Sequence, residues 1–271
     1  MSELYGSDAY APREIAARVE AVGVTKARMA TLPLLMLGLL AGAFISLGAL
    51  FFVIVRSDPT LGYAAGQLAG GVAFSLGLLL VVVAGAELFT GNNLLAMAWA
   101  DGKISSAEVL RNWVLVCLAN LVGAMGMALL VYASGHTGMN GGAIGRTVVR
   151  IAQAKQDLPV AEAFFRGVLC NVLVCMAVWM VLAGRSVVDK AVAIVFPISA
   201  FVAAGFEHSI ANMYFFPLAM LVQAGSGAES TVTWVGMATN LVPVIAGNLL
   251  GGSVLVGLTY YVIYRRGQPQ P

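Results

Sequence analysis

Charged residues are scarce in this sequence. Asp, Glu, Lys and Arg together make up 10% of its 271 residues, hydrophobic residues make up 60%, and the net charge is +2. The mean hydropathy is +0.89. A water-soluble domain of this length needs more polar residues to cover its surface. The composition therefore excludes an ordinary soluble protein, and we expect no nucleic-acid partner.

Cysteine and histidine are also rare. The three cysteines, Cys117, Cys170 and Cys175, lie in apolar stretches without Cys-x-x-Cys spacing or a nearby histidine. Metal sites use clusters of these residues, so we expect no metal and no cofactor, and the thiols are interpreted as small buried apolar groups. Of the two histidines, His136 is predicted to lie in an exposed loop. Only His208 falls in an apolar region.

Long uncharged runs make up most of the chain. Five of them approach or exceed the ~20 residues that a helix needs to cross a membrane. They lie at 29–55, 59–86, 112–135, 167–184 and 230–264. Together with the region 191–228 they predict an all-α membrane protein with six transmembrane helices. A β-barrel is excluded because its strands alternate apolar and polar residues.

The distribution of charge predicts three segments and an orientation. Residues 1–28, with several acidic residues and Pro12 at a helix start, are predicted to form an amphipathic segment on the membrane surface and not a signal peptide. Residues 29–266 form the membrane domain and 267–271 a cytoplasmic tail. Ten of the 15 basic residues fall on the side of the two termini. The positive-inside rule places that side in the cytoplasm.

Two motifs recur in the same order in both halves of the chain. GAELFTGN at 85–92 and GFEHSIAN at 205–212 share a Gly-x-Glu-x-x-x-x-Asn pattern, and the Asn112/Asn120 spacing of span three recurs as Asn240/Asn248 in span six. Three spans followed by three related spans predict an inverted repeat, because an odd number of crossings inverts the second copy. The glycines of the first motif pair predict that the second and fifth helices are broken, with a transport path between them.

His208 is the leading candidate for chemistry on that path. An ionisable side chain at membrane depth is costly, and an imidazole exchanges a proton near neutral pH. A small anion could take up a proton there and pass as its neutral acid. A neutral histidine that only satisfies a broken helix is the alternative interpretation. Thr90, in the first break, is predicted to offer its hydroxyl to the anion.

Other polar residues are predicted to support the breaks. We expect the carboxylates to accept hydrogen bonds from backbone N–H groups exposed there, and the asparagine amides to donate and accept at the same places. This set comprises Glu87, Asn92, Glu207, Asn212, Asn120, Asn248 and Asn171. In the loop before span four, Lys155, Arg146 and Arg150 could concentrate anions at the mouth of the path. Four bulky residues, Phe74, Leu78, Phe89 and Phe201, could narrow it, although ordinary packing also explains them.

GFEHSIANM, AELFTGN, GRSVVDK at 184–190 and the NLLGG of the last span resemble the formate/nitrite transporter family. The resemblance covers residues 31–266. It implies an aquaporin-like protomer in a homopentamer, located in the bacterial inner membrane, that passes small monovalent anions such as formate, nitrite or hydrosulfide together with protons. It also implies that His208 is the pore histidine and Thr90 the threonine of the broken second helix. Phe74, Leu78, Phe89 and Phe201 would form hydrophobic slits, and Lys155 and Asn171 a lysine–asparagine pair.

The substrate and two other classes of protein stay open at this point. The motifs around His208 resemble formate channels more, and AELFTGNN resembles the nitrite branch at least as much, so formate is favoured and nitrite is the alternative. A neutral-solute channel of the aquaporin type is less favoured because the breaks contain no Asn-Pro-Ala pair. An intramembrane enzyme lacks a clear nucleophile beside His208. By the resemblance, the N-terminal segment could act as a pH-sensitive lid.

Overall fold

The structure is a computed structural model that describes residues 9–227 and 230–267, so most of the predicted tail lies outside the described residues. This part of the chain is almost entirely helical. Its helices are α1 (Pro12–Ala27), α2 (Thr31–Arg56), α3 (Tyr63–Leu79), α4 (Leu95–Ala100), α5 (Ser106–Ala133), α6 (Ala143–Gln156), α7 (Val160–Val181), α8 (Val187–Ala203), α9 (Ser209–Ser226), α10 (Trp234–Leu249) and α11 (Thr259–Tyr264). A π-helical segment, Leu80–Gly85, extends α3, and another, Leu250–Leu258, joins α10 to α11.

Among the described residues, five continuous helical stretches are long and apolar enough to cross a membrane. They are Thr31–Arg56, Tyr63–Gly85, Ser106–Ala133, Val160–Val181 and Trp234–Tyr264, and they match the five predicted runs. The region predicted as the remaining span is divided into α8 and α9. The prediction of an all-α, multi-pass membrane protein is confirmed.

The helices are interrupted at two places. After Gly85 the chain leaves the helix and resumes as a short 3-10 helix at Gly91–Leu94, and after α8 it leaves the helix until Ser209. Gly85 has a φ of +89° and Gly205 a φ of +70°. Glycine adopts this left-handed conformation without the steric cost that a side chain adds. The first residue of each copy of the motif is therefore a left-handed glycine at the helix break.

The packing of the helices is consistent with the predicted 3+3 inverted repeat. In the first half α2 packs on α5, in the second α7 packs on α10, and α3 and α8 pack on each other between the halves. The backbones approach closely at matching glycines. A Cβ on Gly123 would collide with the carbonyl of Leu39, and one on Gly251 with the carbonyl of Val168.

α1 packs against protein, which differs from the prediction of a helix lying on the membrane surface. Its residues Ile15, Ala16 and Val19 are buried in a cluster with residues of α4, α7 and the segment between α10 and α11. Tyr10, just before α1, donates its N–H to the carbonyl of Ala183 at 3.0 Å. The apolar face of α1 is therefore covered by the membrane domain. The amphipathic sequence pattern alone could not show whether this face contacts protein or lipid.

Candidate functional site

Two cavities approach the helix breaks from opposite ends of α3. The α1-side vestibule, about 320 Å³, is lined by residues of α1 together with Leu78, Glu87 and Asn92. The α6-side vestibule, about 270 Å³, is lined by residues of α6 together with Phe74, Phe201 and His208. Because Phe74 precedes Leu78 by one helical turn on α3, the two cavities follow each other along this helix.

Thr90 and His208 bring the two breaks together: His208 lines the α6-side vestibule, and Gly91, next to Thr90, lines the α1-side vestibule. Thr90 Oγ1 and His208 Nε2 are 3.0 Å apart, and both side chains are buried. The Phe201 ring stacks on the imidazole with centroids 5.8 Å apart and meets the Phe74 ring edge-on at 5.7 Å. The two breaks therefore meet at a buried polar contact that has the aromatic rings of Phe201 and Phe74 on its α6 side.

The hydrogen bonds of His208 define its tautomer. His208 is the N-cap of α9, and its Nδ1 accepts the backbone N–H of Ala211 at 3.2 Å. An accepting nitrogen carries no proton, so a neutral His208 carries its proton on Nε2 and donates it to Thr90 Oγ1. The Thr90 hydroxyl then keeps its own hydrogen for a further acceptor. The pair can thus offer a hydroxyl donor to an anion while the imidazole is uncharged.

Two asparagines hold the breaks in matching ways. Asn120 Oδ1 accepts the N–H of Phe89 at 2.9 Å, and its amide nitrogen donates to the carbonyls of Gly38 and Glu87. In the other half Asn248 Oδ1 accepts the N–H of Ser209 at 3.0 Å. Its amide nitrogen donates to the carbonyls of Gly167 and Glu207. Both side chains satisfy backbone groups that a broken helix leaves without partners.

Within the part of the chain that the structure describes, the two carboxylates contact side chains and not the backbone N–H groups predicted for them. Glu87 lies 2.9 Å from Lys26 Nζ and accepts from Asn92 Nδ2 at 2.7 Å. Glu207 lies 2.8 Å from Lys155 Nζ and accepts from Asn212 Nδ2 at 2.6 Å. Each break therefore carries a lysine–glutamate–asparagine group.

A second pair of asparagines ties these groups to the long helices. Asn112 accepts from Asn92 at 3.0 Å and donates to the carbonyl of Lys26 at 3.1 Å. Asn240 accepts from Asn212 at 2.8 Å and donates to the carbonyl of Lys155 at 2.9 Å. The spacing of Asn112 and Asn240 from Asn120 and Asn248 is one of the signs of the repeat in the sequence. Because each of the first two bonds the carbonyl of a lysine, Lys26 and Lys155 occupy equivalent positions in the two halves.

Lys26 was not a candidate in the sequence because it belongs to the segment predicted to lie on the membrane surface. Its distance from Lys155 is 129 residues, close to the 128 residues between Asn112 and Asn240. That spacing is the signal that could have identified it. The two lysines differ in one respect: Lys26 also donates to Asn92 Oδ1 at 2.9 Å. The matching atom, Asn212 Oδ1, has no partner among the described residues.

Asn171 differs from the role implied by the resemblance, a pairing with Lys155. Its amide nitrogen lies 3.2 Å from the carbonyl oxygen of Thr90 and 2.7 Å from Asn93 Oδ1. Lys155 instead contacts Glu207. Asn171 therefore supports the backbone of Thr90, and Asn93 is a further support residue that the sequence did not single out.

The remaining candidates are distributed as follows. Leu78 lines the α1-side vestibule, whereas Phe89 is buried in the core and is not among the described residues that line either vestibule. Arg146 and Arg150 line a separate cavity with Tyr132, so the structure does not place them at the path. His136 is half-buried and not exposed as predicted. Among the described residues there is no cluster of potential metal ligands.

Comparison with known proteins identifies the family. The family model described as formate/nitrite transporter matches residues 13–262. The chain belongs to the formate/nitrite transporter family. It is 41% identical to the formate channel FocA of Escherichia coli (strain K12) over 273 residues, which cover 96% of this chain and 96% of that protein.

Two solved structures of this family have the same fold. A pentameric formate channel with formate bound superposes with a TM-score of 0.80 at 38% identity, covering 86% of this chain and 97% of the other. An ion channel of the formate/nitrite transporter family superposes with a TM-score of 0.84 at 32% identity, covering 92% and 98%. The family predicted from GFEHSIANM and its companion motifs is confirmed.

Proposed function

We propose that this protein is a membrane channel for small monovalent anions and that its substrate is formate. The observation that carries the proposal is the buried Thr90–His208 contact between two vestibules, each containing a lysine. The names of the relatives support formate, since a 41% identical protein is a formate channel. Nitrite is the second candidate because it too is a small, planar, monovalent anion and belongs to the family description.

The first step is attraction of the anion to a vestibule. Lys26 and Lys155 each lie beside a carboxylate, so each group is close to neutral and holds an anion only weakly. Weak binding suits a channel, because an anion held tightly would not move on. The flanking walls are apolar, and the electric field of an ammonium group extends farther there than in bulk water.

The second step is passage across the Thr90–His208 contact. Thr90, oriented by the Nε2–H of His208, donates its hydroxyl to the carboxylate oxygen. A bare anion still cannot cross the adjoining apolar slit without a large desolvation cost. We infer that a proton joins the anion at this point and that the neutral acid crosses the rings of Phe201 and Phe74.

The source of that proton is constrained by the geometry of His208. The neutral ring has one proton, on Nε2, and losing it would leave an imidazolate. For His208 to donate, Nδ1 must first be protonated, which breaks its hydrogen bond with the N–H of Ala211. Proton transfer through His208 is therefore coupled to release of the N-cap of α9. Otherwise the proton reaches the anion from the vestibule water while Thr90 and His208 orient it.

The membrane location, oligomeric state and orientation that we propose are based on the sequence and on the relatives. We place the protein in the bacterial inner membrane as a homopentamer with one path per protomer. The positive-inside rule puts α1, the α1-side vestibule and both termini in the cytoplasm. In this account residues 29–266 are the channel, and the protein moves its substrate without converting it chemically.

The test of this proposal is flux into proteoliposomes containing the purified protein. Formate, nitrite, hydrosulfide and glycerol are offered separately, with protein-free liposomes as the control. Formate entry well above that of protein-free liposomes, without a matching rise for glycerol, is expected. Faster nitrite than formate entry would transfer the proposal to nitrite. Glycerol entry without anion entry would contradict it.

A further inference from the structure

One cation in the α6-side vestibule has no assigned partner. Arg56, at the end of α2, is half-buried and lines this vestibule together with Lys155 and Arg166. Lys155 pairs with Glu207, and Arg166 pairs with Glu162 at 2.8 Å. Arg56 makes no hydrogen bond or ion pair with any residue in the described ranges 9–227 and 230–267. Its guanidinium donors therefore remain available to the vestibule.

The neighbouring helix is shaped to hold this side chain. Arg56 lies against the glycine face of α3, where a Cβ on Gly66 would come within 2.8 Å of its Nη1 and one on Gly70 within 3.5 Å of its Cδ. The Phe52 ring, one turn earlier on α2, covers Gly70 as well. The glycines thus leave room for an arginine along α3. Packing on one side removes water from the guanidinium and strengthens its attraction for an anion on the other.

The two vestibules are unequal in charge. Among the described residues lining the α6-side vestibule, Arg56, Lys155 and Arg166 are basic and Glu207 is acidic. Among those lining the α1-side vestibule, Lys26 is basic and Glu87 is acidic. Because the lysine–glutamate groups match in the two halves, the arginines account for the difference.

We propose that Arg56 is a binding site for the entering carboxylate at the α6-side mouth. A guanidinium presents paired N–H donors in a plane, which match the two oxygens of formate, whereas an ammonium offers only a point charge. This inference rests on the proposed function. Because Arg56 would bind formate at the α6-side mouth, we expect formate entry from the α6 side to saturate at a lower formate concentration than entry from the α1 side.

The experiment compares Arg56→Gln and Arg56→Lys with the wild type. Initial formate uptake is measured in right-side-out and inside-out membrane vesicles, with orientation checked by protease access to the C-terminus. Arg146→Gln is the matched control, because Arg146 lines a different cavity beside α6. Loss of a charge-assisted hydrogen bond corresponds to roughly tenfold or more in affinity. Arg56→Gln is therefore expected to raise the KM for formate entry from the α6 side about tenfold and to leave the KM for entry from the α1 side unchanged.

The variants separate three questions: whether Arg56 binds formate, whether its guanidinium geometry matters, and whether the protein transports formate at all. Unchanged α6-side KM in Arg56→Gln, an equal rise in Arg146→Gln, or equal rises on both sides would overturn the site. Arg56→Lys, which keeps the charge, is expected to lie between Arg56→Gln and the wild type. Full wild-type KM in Arg56→Lys would show that charge alone acts, overturning recognition by the guanidinium fork. Absence of wild-type formate uptake from both sides would contradict the proposed function itself.

Discussion

Thr90 and His208 play different parts in the central contact, because each has a different hydrogen-bond donor available. His208 uses Nδ1 to accept the N–H of Ala211 and Nε2 to contact Thr90, so its ring is fixed from both sides. Thr90 has the one hydrogen of the pair that is free to point at a substrate. In the proposed mechanism the threonine contacts the anion directly, and the histidine orients the threonine hydroxyl.

Thr90→Val tests this division, because it keeps the shape of the side chain and removes the hydroxyl. Losing a hydrogen bond to a charged group costs about 1.5–3 kcal/mol, so formate flux is expected to fall by roughly 10- to 100-fold. Thr90→Ser restores the hydroxyl and is expected to recover most of the flux. Equal flux through Thr90→Val and the wild type in proteoliposomes would remove the hydroxyl from the mechanism.

At the scale of the element, the two broken helices depend on asparagines from neighbouring helices. Asn120 comes from α5 and Asn248 from α10, and each satisfies one N–H and two carbonyl groups. Water cannot satisfy these groups at membrane depth. The breaks are therefore fixed parts of the structure and hold Thr90 and His208 in place.

Asn248→Ala is expected to destabilise the channel strongly. It leaves the N–H of Ser209 and the carbonyls of Gly167 and Glu207 without this partner, at about 1–3 kcal/mol for each buried unsatisfied group. Thermal unfolding of the purified protein checks it, and Asn120→Ala is expected to give a similar drop.

Gln153→Ala serves as the control for these variants. Among the residues that the structure describes, the half-buried Gln153 donates its amide nitrogen only to the exposed carboxylate of Asp157, just after the end of α6, so losing this hydrogen bond is expected to have little effect. Unfolding temperatures of Asn248→Ala and Gln153→Ala that agree would refute the supporting role of the asparagine.

These elements also show how far the sequence can predict the structure. The repeated glycine–glutamate–asparagine patterns located both breaks, because a broken helix needs a glycine where the backbone turns and polar side chains nearby at a fixed spacing. The lysine partners of Glu87 and Glu207 lie outside these patterns and could not be predicted from them. Lys26 is 61 residues from Glu87 in sequence, and only the packing of α1 brings them together. Arg56 resembles the basic residue found at many transmembrane helix ends, so only its position over α3 sets it apart.

At the scale of the whole molecule, α1 is joined to the membrane domain through a buried charge. Glu20 is fully buried in α1 and lies 2.7 Å from Lys103 Nζ and 2.9 Å from Arg265 Nε. Partial burial opposes the charge of Lys103, but its contacts with Glu20 and Asp101 outweigh this effect and raise its pKa. One carboxylate therefore links α1, the loop after α4 and the end of α11.

Lys103→Met is expected to loosen α1 by about 1–3 kcal/mol, because a buried carboxylate loses a charged partner. Limited proteolysis within α1 measures this as faster cleavage. A raised lysine pKa means that the stabilisation is fully present below the ordinary value of about 10.4 and is lost as pH rises through the raised value. The difference between variant and wild type is therefore expected to stay constant from pH 5 to 8. A difference that disappears within that range would contradict this assignment and make Lys103 part of a pH-sensitive lid.

The central claim is that an anion crosses the Thr90–His208 contact with a proton. The most direct measurement is the initial rate of formate entry into proteoliposomes from pH 8 to pH 5, for the wild type and for His208→Phe, with assembly of both checked by size-exclusion chromatography. The wild-type rate, corrected for protein-free liposomes, is expected to rise as pH falls, and an assembled His208→Phe variant is expected to lose that rate. A variant with the wild-type rate and pH dependence would contradict it and leave His208 as a helix cap alone.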